Sequence, residues 1–136
     1  MRGEWCYFKS CLPADLCNQI VEIALKREPN EGQIGTNDGV KADESFRRSS
    51  IRFVQQGDPE LGFLFNDLWK LAIRANHDWF DLHISKLDYY QIAEYDGERR
   101  GEYKTHHDIF YMNGDPIYHR KLSCVIQLSD PAAYEG

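Results

Sequence analysis

The stretch "GEYKTHHDIFYM", residues 101–112, sets two adjacent histidines and an aspartate inside a run of aromatic and apolar residues. On an extended strand, side chains two apart share a face and adjacent ones point oppositely. Strand parity therefore puts His106 and Asp108 together and turns His107 away from them. An imidazole and a carboxylate gripping one ion supply two members of a facial triad of two histidines and one carboxylate. The open positions of such a triad suit non-haem Fe(II) and an oxidising co-substrate. Three residues alone are a short signal, so the flanking chain has to decide what they are for.

Around this stretch the hydrophobic period is that of strands. "FDLHISKLDYYQIAEYDG" precedes it, and a turn-like "NGDP" and then "RKLSCVIQLSDP" follow it, so the second half reads as mostly β. In the last of these, Leu122, Cys124, Ile126 and Leu128 share an apolar face that should pack on helices. Ser123, Val125 and Gln127 share the other face, which should line an interior. Tyr89, Gln91, Ala93 and Tyr95 likewise point one way along their strand. Two phenols and an amide on one face are unusual for plain core.

The first half supplies the helices. In "LPADLCNQIVEIALKREP", Leu16, Ile20, Ile23 and Ala24 make one helical stripe between Pro13 and Pro29. A second helix is expected from about Asp58 to Asn76, with Asp58 as its cap, Pro59 in the first turn, and Leu61, Leu64, Phe65, Leu68, Leu71, Ala72 and Ala75 as its buried stripe. Between them "EPNEGQIGTNDGVKADESF" reads as a long loop, and in "RRSSIRFVQ" Ile51 and Phe53 alternate with polar neighbours as in a strand.

Composition limits the function classes. A chain of 136 residues, 42% hydrophobic and 13% aromatic, suits one domain with a real core. Its formal charge of -6 argues against nucleic acid as a partner, because affinity for a phosphate backbone comes largely from lysine and arginine displacing counterions. The pairs Arg47-Arg48, Arg99-Arg100 and Arg120-Lys121 could still meet an anion locally, but are expected on solvated faces or loops. Cys6, Cys11, Cys17 and Cys124 form neither a C-x-x-C pair nor a secreted framework and read as reduced thiols. No apolar run approaches the ~20 residues that span a bilayer, so a cytoplasmic location without a membrane partner is expected.

Several ordered blocks resemble the prolyl 4-hydroxylase-like branch of the 2-oxoglutarate and Fe(II)-dependent oxygenases. They are "FKSCLPADLCNQIVEIA", "RRSSIRF", "ANHDWFDLHISKLDYYQIAEYD", "GEYKTHHD", which is similar to the family's Gly-x-Tyr-x-x-His-x-Asp, and "KLSCVIQLSDPAAYEG". The last looks like the lead into a Glu-Gly-Gly turn of bacterial and phage members. The resemblance implies an α+β, mainly β chain forming a double-stranded β-helix, or jelly roll, buttressed by the N-terminal helices. It implies Fe(II) as cofactor, 2-oxoglutarate as co-substrate and ascorbate as an accessory reductant. The reaction would hydroxylate an aliphatic carbon of a peptide, such as a prolyl residue, or of a small molecule, while 2-oxoglutarate is decarboxylated to succinate.

Carried over by resemblance, His106 and Asp108 are the proximal iron ligands, Tyr95 lines the co-substrate pocket and Gln127 touches the co-substrate. Tyr103 buttresses the ligand strand. The family's distal histidine and the basic residue for the far carboxylate are expected downstream of Gly136, because His119, the only histidine after the motif, precedes the strand that should come before the distal ligand. The jelly roll is accordingly expected to be incomplete at its C-terminal end. A different class, a non-catalytic jelly-roll binding domain that has lost its iron site, is the alternative.

Overall fold

The computed structural model describes residues 4–36, 39–108 and 119–134. Helix α1 spans Ala14–Leu25 with Pro13 at its N-cap, where a fixed φ and a missing N–H cost the helix nothing. It buries Cys17, Ile20 and Ala24, and Leu16 and Ile23 flank the core at partial burial. The expected stripe is therefore the packed one.

Helix α2 spans Leu64–Ala75 and starts later than its period suggests. Asp58 caps a turn ahead of the helix rather than the helix itself, accepting at Oδ1 from the backbone N–H of Glu60 at 3.0 Å and of Leu61 at 2.8 Å. After Ala75 the helix widens into a π turn over Asn76–Phe80, closed by Asp81 in the left-handed region at φ 53. The Asn76 amide grips Leu82 from both sides, donating to its carbonyl at 2.7 Å and accepting from its N–H at 2.9 Å.

Seven short strands are formed among the described residues: β1 Asn30–Glu31, β2 Gln33–Thr36, β3 Gly39–Ala42, β4 Arg47–Arg48, β5 Ser50–Val54, β6 Tyr90–Glu94 and β7 Glu102–Tyr103. They make an antiparallel sheet in the order β1-β5-β6 and two separate antiparallel pairs, β2-β3 and β4-β7. The segment expected to be a long loop thus holds β1 and a hairpin. That hairpin pairs Ile34 with Lys41 and Gly35 with Val40 and is almost wholly exposed, so it shows no apolar alternation to read.

Direct partners in an antiparallel ladder face the same side of the sheet. Val54 pairs with Tyr90 and Arg52 with Ile92, and this side meets the helices. There Val54 joins Ile20, Leu61, Leu64 and Phe65 in the core, with Tyr90, Ile92, Leu87 and Leu128 around them. Phe53 pairs with Gln91 and Ile51 with Ala93 on the other side. That side is open at Phe53, Tyr89 and Tyr95, all exposed, while Ile51 on it is buried at 2% exposure, and the Phe53 and Tyr89 rings meet edge to face at 5.6 Å.

The molecule is α+β, with small antiparallel sheets and two helices, and no closed barrel is formed among the described residues. The second half is less β than its period suggests: of its described residues only β6 and β7 are strands. Among the described residues, 120–128 join no ladder, because alternation supplies a face and not a hydrogen-bonding neighbour. Three of the four residues of the expected apolar face, Leu122, Ile126 and Leu128, are partly buried, whereas Val125 of the other face, expected to line an interior, is 79% exposed. Cys124 is exposed as a residue, although burial, reinforced by the neighbouring Cys11 and Cys6 thiols, pushes its own thiol up. All four cysteines are free. The "NGDP" turn and the strand end at residues 109–112 lie outside the described residues. No helix among the described residues is long and apolar enough to cross a membrane.

Candidate metal centre

The pairing of β4 with β7 sets Tyr103 opposite Arg47 and Glu102 opposite Arg48. Arg48 fixes this register from the side, donating to the Arg100 carbonyl at 3.0 Å and to Glu102 Oε1 at 2.6 Å. One more backbone bond, from Lys104 N–H to the Phe46 carbonyl at 3.0 Å, extends the contact before the chain leaves the ladder. Residues 104–108 are not a strand. The expected ligand strand is thus not assigned at these residues, and the chain bends at Thr105.

That path still joins the two proposed ligands. His106 Nδ1 lies 2.7 Å from the Lys104 carbonyl, and its Nε2 lies 3.3 Å from Asp108 Oδ1. A carbonyl accepts only, so Nδ1 donates to it, and an unprotonated Nε2 would turn its lone pair to a carboxylate oxygen. Two such groups repel unless a cation lies between them, either a proton on Nε2 or a metal ion. Donors on adjacent corners of an octahedron at metal–ligand lengths of about 2.1 Å are separated by roughly 3.0 Å, and the observed gap is 3.3 Å. The N,O donor set is one that Fe(II) accepts, and a backbone carbonyl on the far ring nitrogen is the usual orienting partner of a metal-bound imidazole. His107 is exposed and takes no part in the pair.

The remaining assignments are met unevenly. Among the described residues no group of three or more His, Cys, Asp and Glu side chains is arranged to hold a metal, so the pair has two protein donors. Tyr95 follows β6 on the open face of the sheet, in line with Gln91 and Tyr89. Gly101 brings it near the ligand segment: a Cβ there would stand 2.8 Å from Tyr95 Cα and 2.8 Å from Asp96 N, a backbone approach only glycine allows. Gln127 is exposed. Among the described residues, no hydrogen bond or ion pair joins Tyr95 or Gln127 to His106 or Asp108. His77 pairs with Asp78 at 2.8 Å on the surface, and His83 offers its carbonyl to Lys121 Nζ at 2.8 Å.

Two arginines near the site escape a sequence reading. Arg120 Nη1 lies 3.8 Å from Asp108 Oδ1, and its Nη2 lies 3.5 Å from the Tyr89 hydroxyl, so it bridges the donor pair to the open sheet face. Arg47, expected on a solvated face, is only 5% exposed. Its guanidinium lies 4.4 Å above the Tyr103 ring, and it borders a cleft of about 160 Å³ lined also by Glu31, Asp43, Arg48 and Arg99. Their only signal in the sequence is the paired basic residues. Comparison with protein-family models, with curated proteins and with solved structures finds no match for this chain.

Proposed function

We propose that His106 and Asp108 are two of the three protein ligands of a non-haem Fe(II) centre. On this reading the chain carries the proximal iron ligands of a jelly-roll 2-oxoglutarate-dependent dioxygenase that hydroxylates an aliphatic carbon of a peptide or small molecule. The observation that supports it is the His106 Nε2 to Asp108 Oδ1 separation of 3.3 Å, with the other ring nitrogen tied to a carbonyl. When bound, the iron and its co-substrate supply the oxidising power for C–H hydroxylation. The chain's own residues do the holding. Lys104 fixes the imidazole tautomer, Tyr103 stacks on the ring at 3.7 Å and 18°, and the open face bearing Tyr89, Gln91 and Tyr95 offers a wall for the co-substrate.

The third ligand is a distal histidine in the same fold, and the test is made on a chain that includes it. Succinate release with Fe(II) and 2-oxoglutarate should vanish in His106→Ala and in Asp108→Ala and persist in His107→Ala. Loss with His107→Ala and retention with His106→Ala would overturn the assignment. A second reading, a jelly-roll binding domain without iron, is favoured by Arg120. On that reading Asp108 is simply the ion-pair partner of His106 and Arg120. It predicts no histidine-dependent uptake of a divalent ion by any form of the chain.

A further inference from the structure

Arg47 is a buried cation that no carboxylate among the described residues partners. Its Nε donates to Ser49 Oγ at 2.8 Å and its Nη1 to the Gln33 carbonyl at 3.1 Å, both neutral acceptors. Burying a guanidinium is costly unless something compensates it, and the third compensation is the face of Tyr103, 4.4 Å from Arg47 Cζ. The His106 ring lies 3.7 Å from the same phenol ring at 18°. Two groups so close to one ring centre cannot share a side without colliding, so Tyr103 is held between Arg47 and His106. Phe46 closes the edge of the sandwich, T-shaped to Tyr103 at 6.1 Å.

Gly32 sets the position of the outer layer. Its N–H bonds the Ser49 carbonyl at 2.8 Å, and a Cβ at Gly32 would stand 2.4 Å from Ser49 Oγ, 2.7 Å from Arg47 Nε and 2.9 Å from Arg47 Cδ. Any larger residue there must drive the Arg47 side chain from its seat. The base of the β2-β3 hairpin thus reaches the donor pair through Gly32 and Gln33, Arg47, Tyr103 and then His106.

We infer that Arg47 is a positioning residue that fixes the plane of the His106 imidazole through Tyr103, with Gly32 holding Arg47 in register. The inference rests on the reading of His106 as a metal ligand for its consequence and on the observed sandwich for its geometry, so the two are tested apart. The first measurement is metal-free: the ring-current shift that Tyr103 imposes on the His106 Cε1–H, read by ¹H–¹³C NMR of the chain. It should fall by more than half in Arg47→Gln and in Gly32→Ala, which leaves the charge in place, and by less in Arg47→Lys, which keeps the cation and loses the planar stack. The second is Co(II) titration of a chain carrying the distal ligand, where Arg47→Gln should weaken affinity about tenfold, the size of effect that loss of an orienting partner has at metal sites.

If Arg47→Gln does not fold, Gly32→Ala and Arg47→Lys decide the matter. An unchanged His106 shift in the folded variants overturns the positioning role. A shift that moves in a protein showing no His106-dependent Co(II) uptake upholds the sandwich and sinks the metal reading instead.

Discussion

Arg27 closes both arms of its guanidinium on Asp58, Nη1 to Oδ2 at 2.6 Å and Nη2 to Oδ1 at 2.8 Å. Arg27 stands just past the end of α1, and Asp58 organises the turn that leads into α2. The fork therefore staples together the two helix ends around the core, and Arg52 adds a third strut by donating to the Arg27 carbonyl at 3.1 Å. Asp58→Ala removes a bidentate charge-assisted pair and a turn cap together. It should cost about 2–3 kcal/mol, visible as a lower urea midpoint at unchanged slope. A loss below about 0.5 kcal/mol would place the pair among solvated surface bridges.

The same pair predicts an acid dependence. The Arg27 guanidinium, helped by the Leu61 and Glu60 N–H groups, holds the Asp58 carboxyl well below the usual carboxylate range. A group whose folded value is depressed stabilises above its unfolded value, about 3.9 for aspartate, and loses that contribution as pH falls through the folded value. Urea unfolding of the wild type and of Asp58→Asn should therefore differ most above about pH 4 and converge below it. A gap that stays constant from pH 7 down to pH 2 would remove Asp58 as its source.

The helices were legible because burial on one side writes a 3.6-residue period into the sequence, and Ile20, Ala24, Leu64, Phe65 and Ala75 obey it. The hairpin was not, because strands exposed on both faces carry no apolar alternation, and Ile34 and Val40 are not direct partners in its register. In the other direction, Leu122 to Leu128 alternate in sequence without a partner strand among the described residues. At the candidate site, spacing alone brought His106 to Asp108, although outside any strand assigned among the described residues. The Arg47–Tyr103–His106 sandwich depends on a ladder between distant segments, which no local pattern encodes.

Tyr90 supplies an alkaline counterpart. Its hydroxyl donates to the Leu61 carbonyl at 2.8 Å, and burial, with the Asp58 charge behind it, pushes its phenol up to about 12. A raised value means that stability is full below the unfolded tyrosine value of about 10 and drains away as pH rises toward the folded one. Tyr90→Phe should cost about 1 kcal/mol at neutral pH, since it strands one partly buried carbonyl. The wild-type advantage should shrink between about pH 10 and pH 12. If Tyr90→Phe instead tracks the wild type at every pH, the Leu61 bond contributes nothing.

Gly101 should be intolerant of any side chain. A Cβ there would stand 2.8 Å from Asp96 N and from Tyr95 Cα and 2.9 Å from Tyr95 C, all backbone atoms that cannot rotate aside. Gly101→Ala should cost about 1–3 kcal/mol as the loop between β6 and β7 is forced open. The opening should also move Tyr95 relative to Tyr103. Backbone amide shifts confined to residues 95–103 would support this, and a variant as stable as wild type with unmoved amides would refute it.

Gln127 tests how the open face serves a co-substrate under the proposed reading. Its amide can both donate and accept, and by strand parity it would share a side with Ser123. If that amide holds an oxygen of 2-oxoglutarate, Gln127→Ala removes one hydrogen bond of about 1 kcal/mol, so KM for 2-oxoglutarate should rise about fivefold. Because that contact forms in the ground state and the transition state alike, kcat should change little. Ser123→Ala, on the same side and further from the proposed contact, should leave KM near its wild-type value. The assay is succinate release against 2-oxoglutarate concentration in a chain carrying all three ligands. Equal KM values for wild type and Gln127→Ala would take Gln127 out of the co-substrate site, and a rise shared by Ser123→Ala would trace the effect to the segment's packing rather than to the amide.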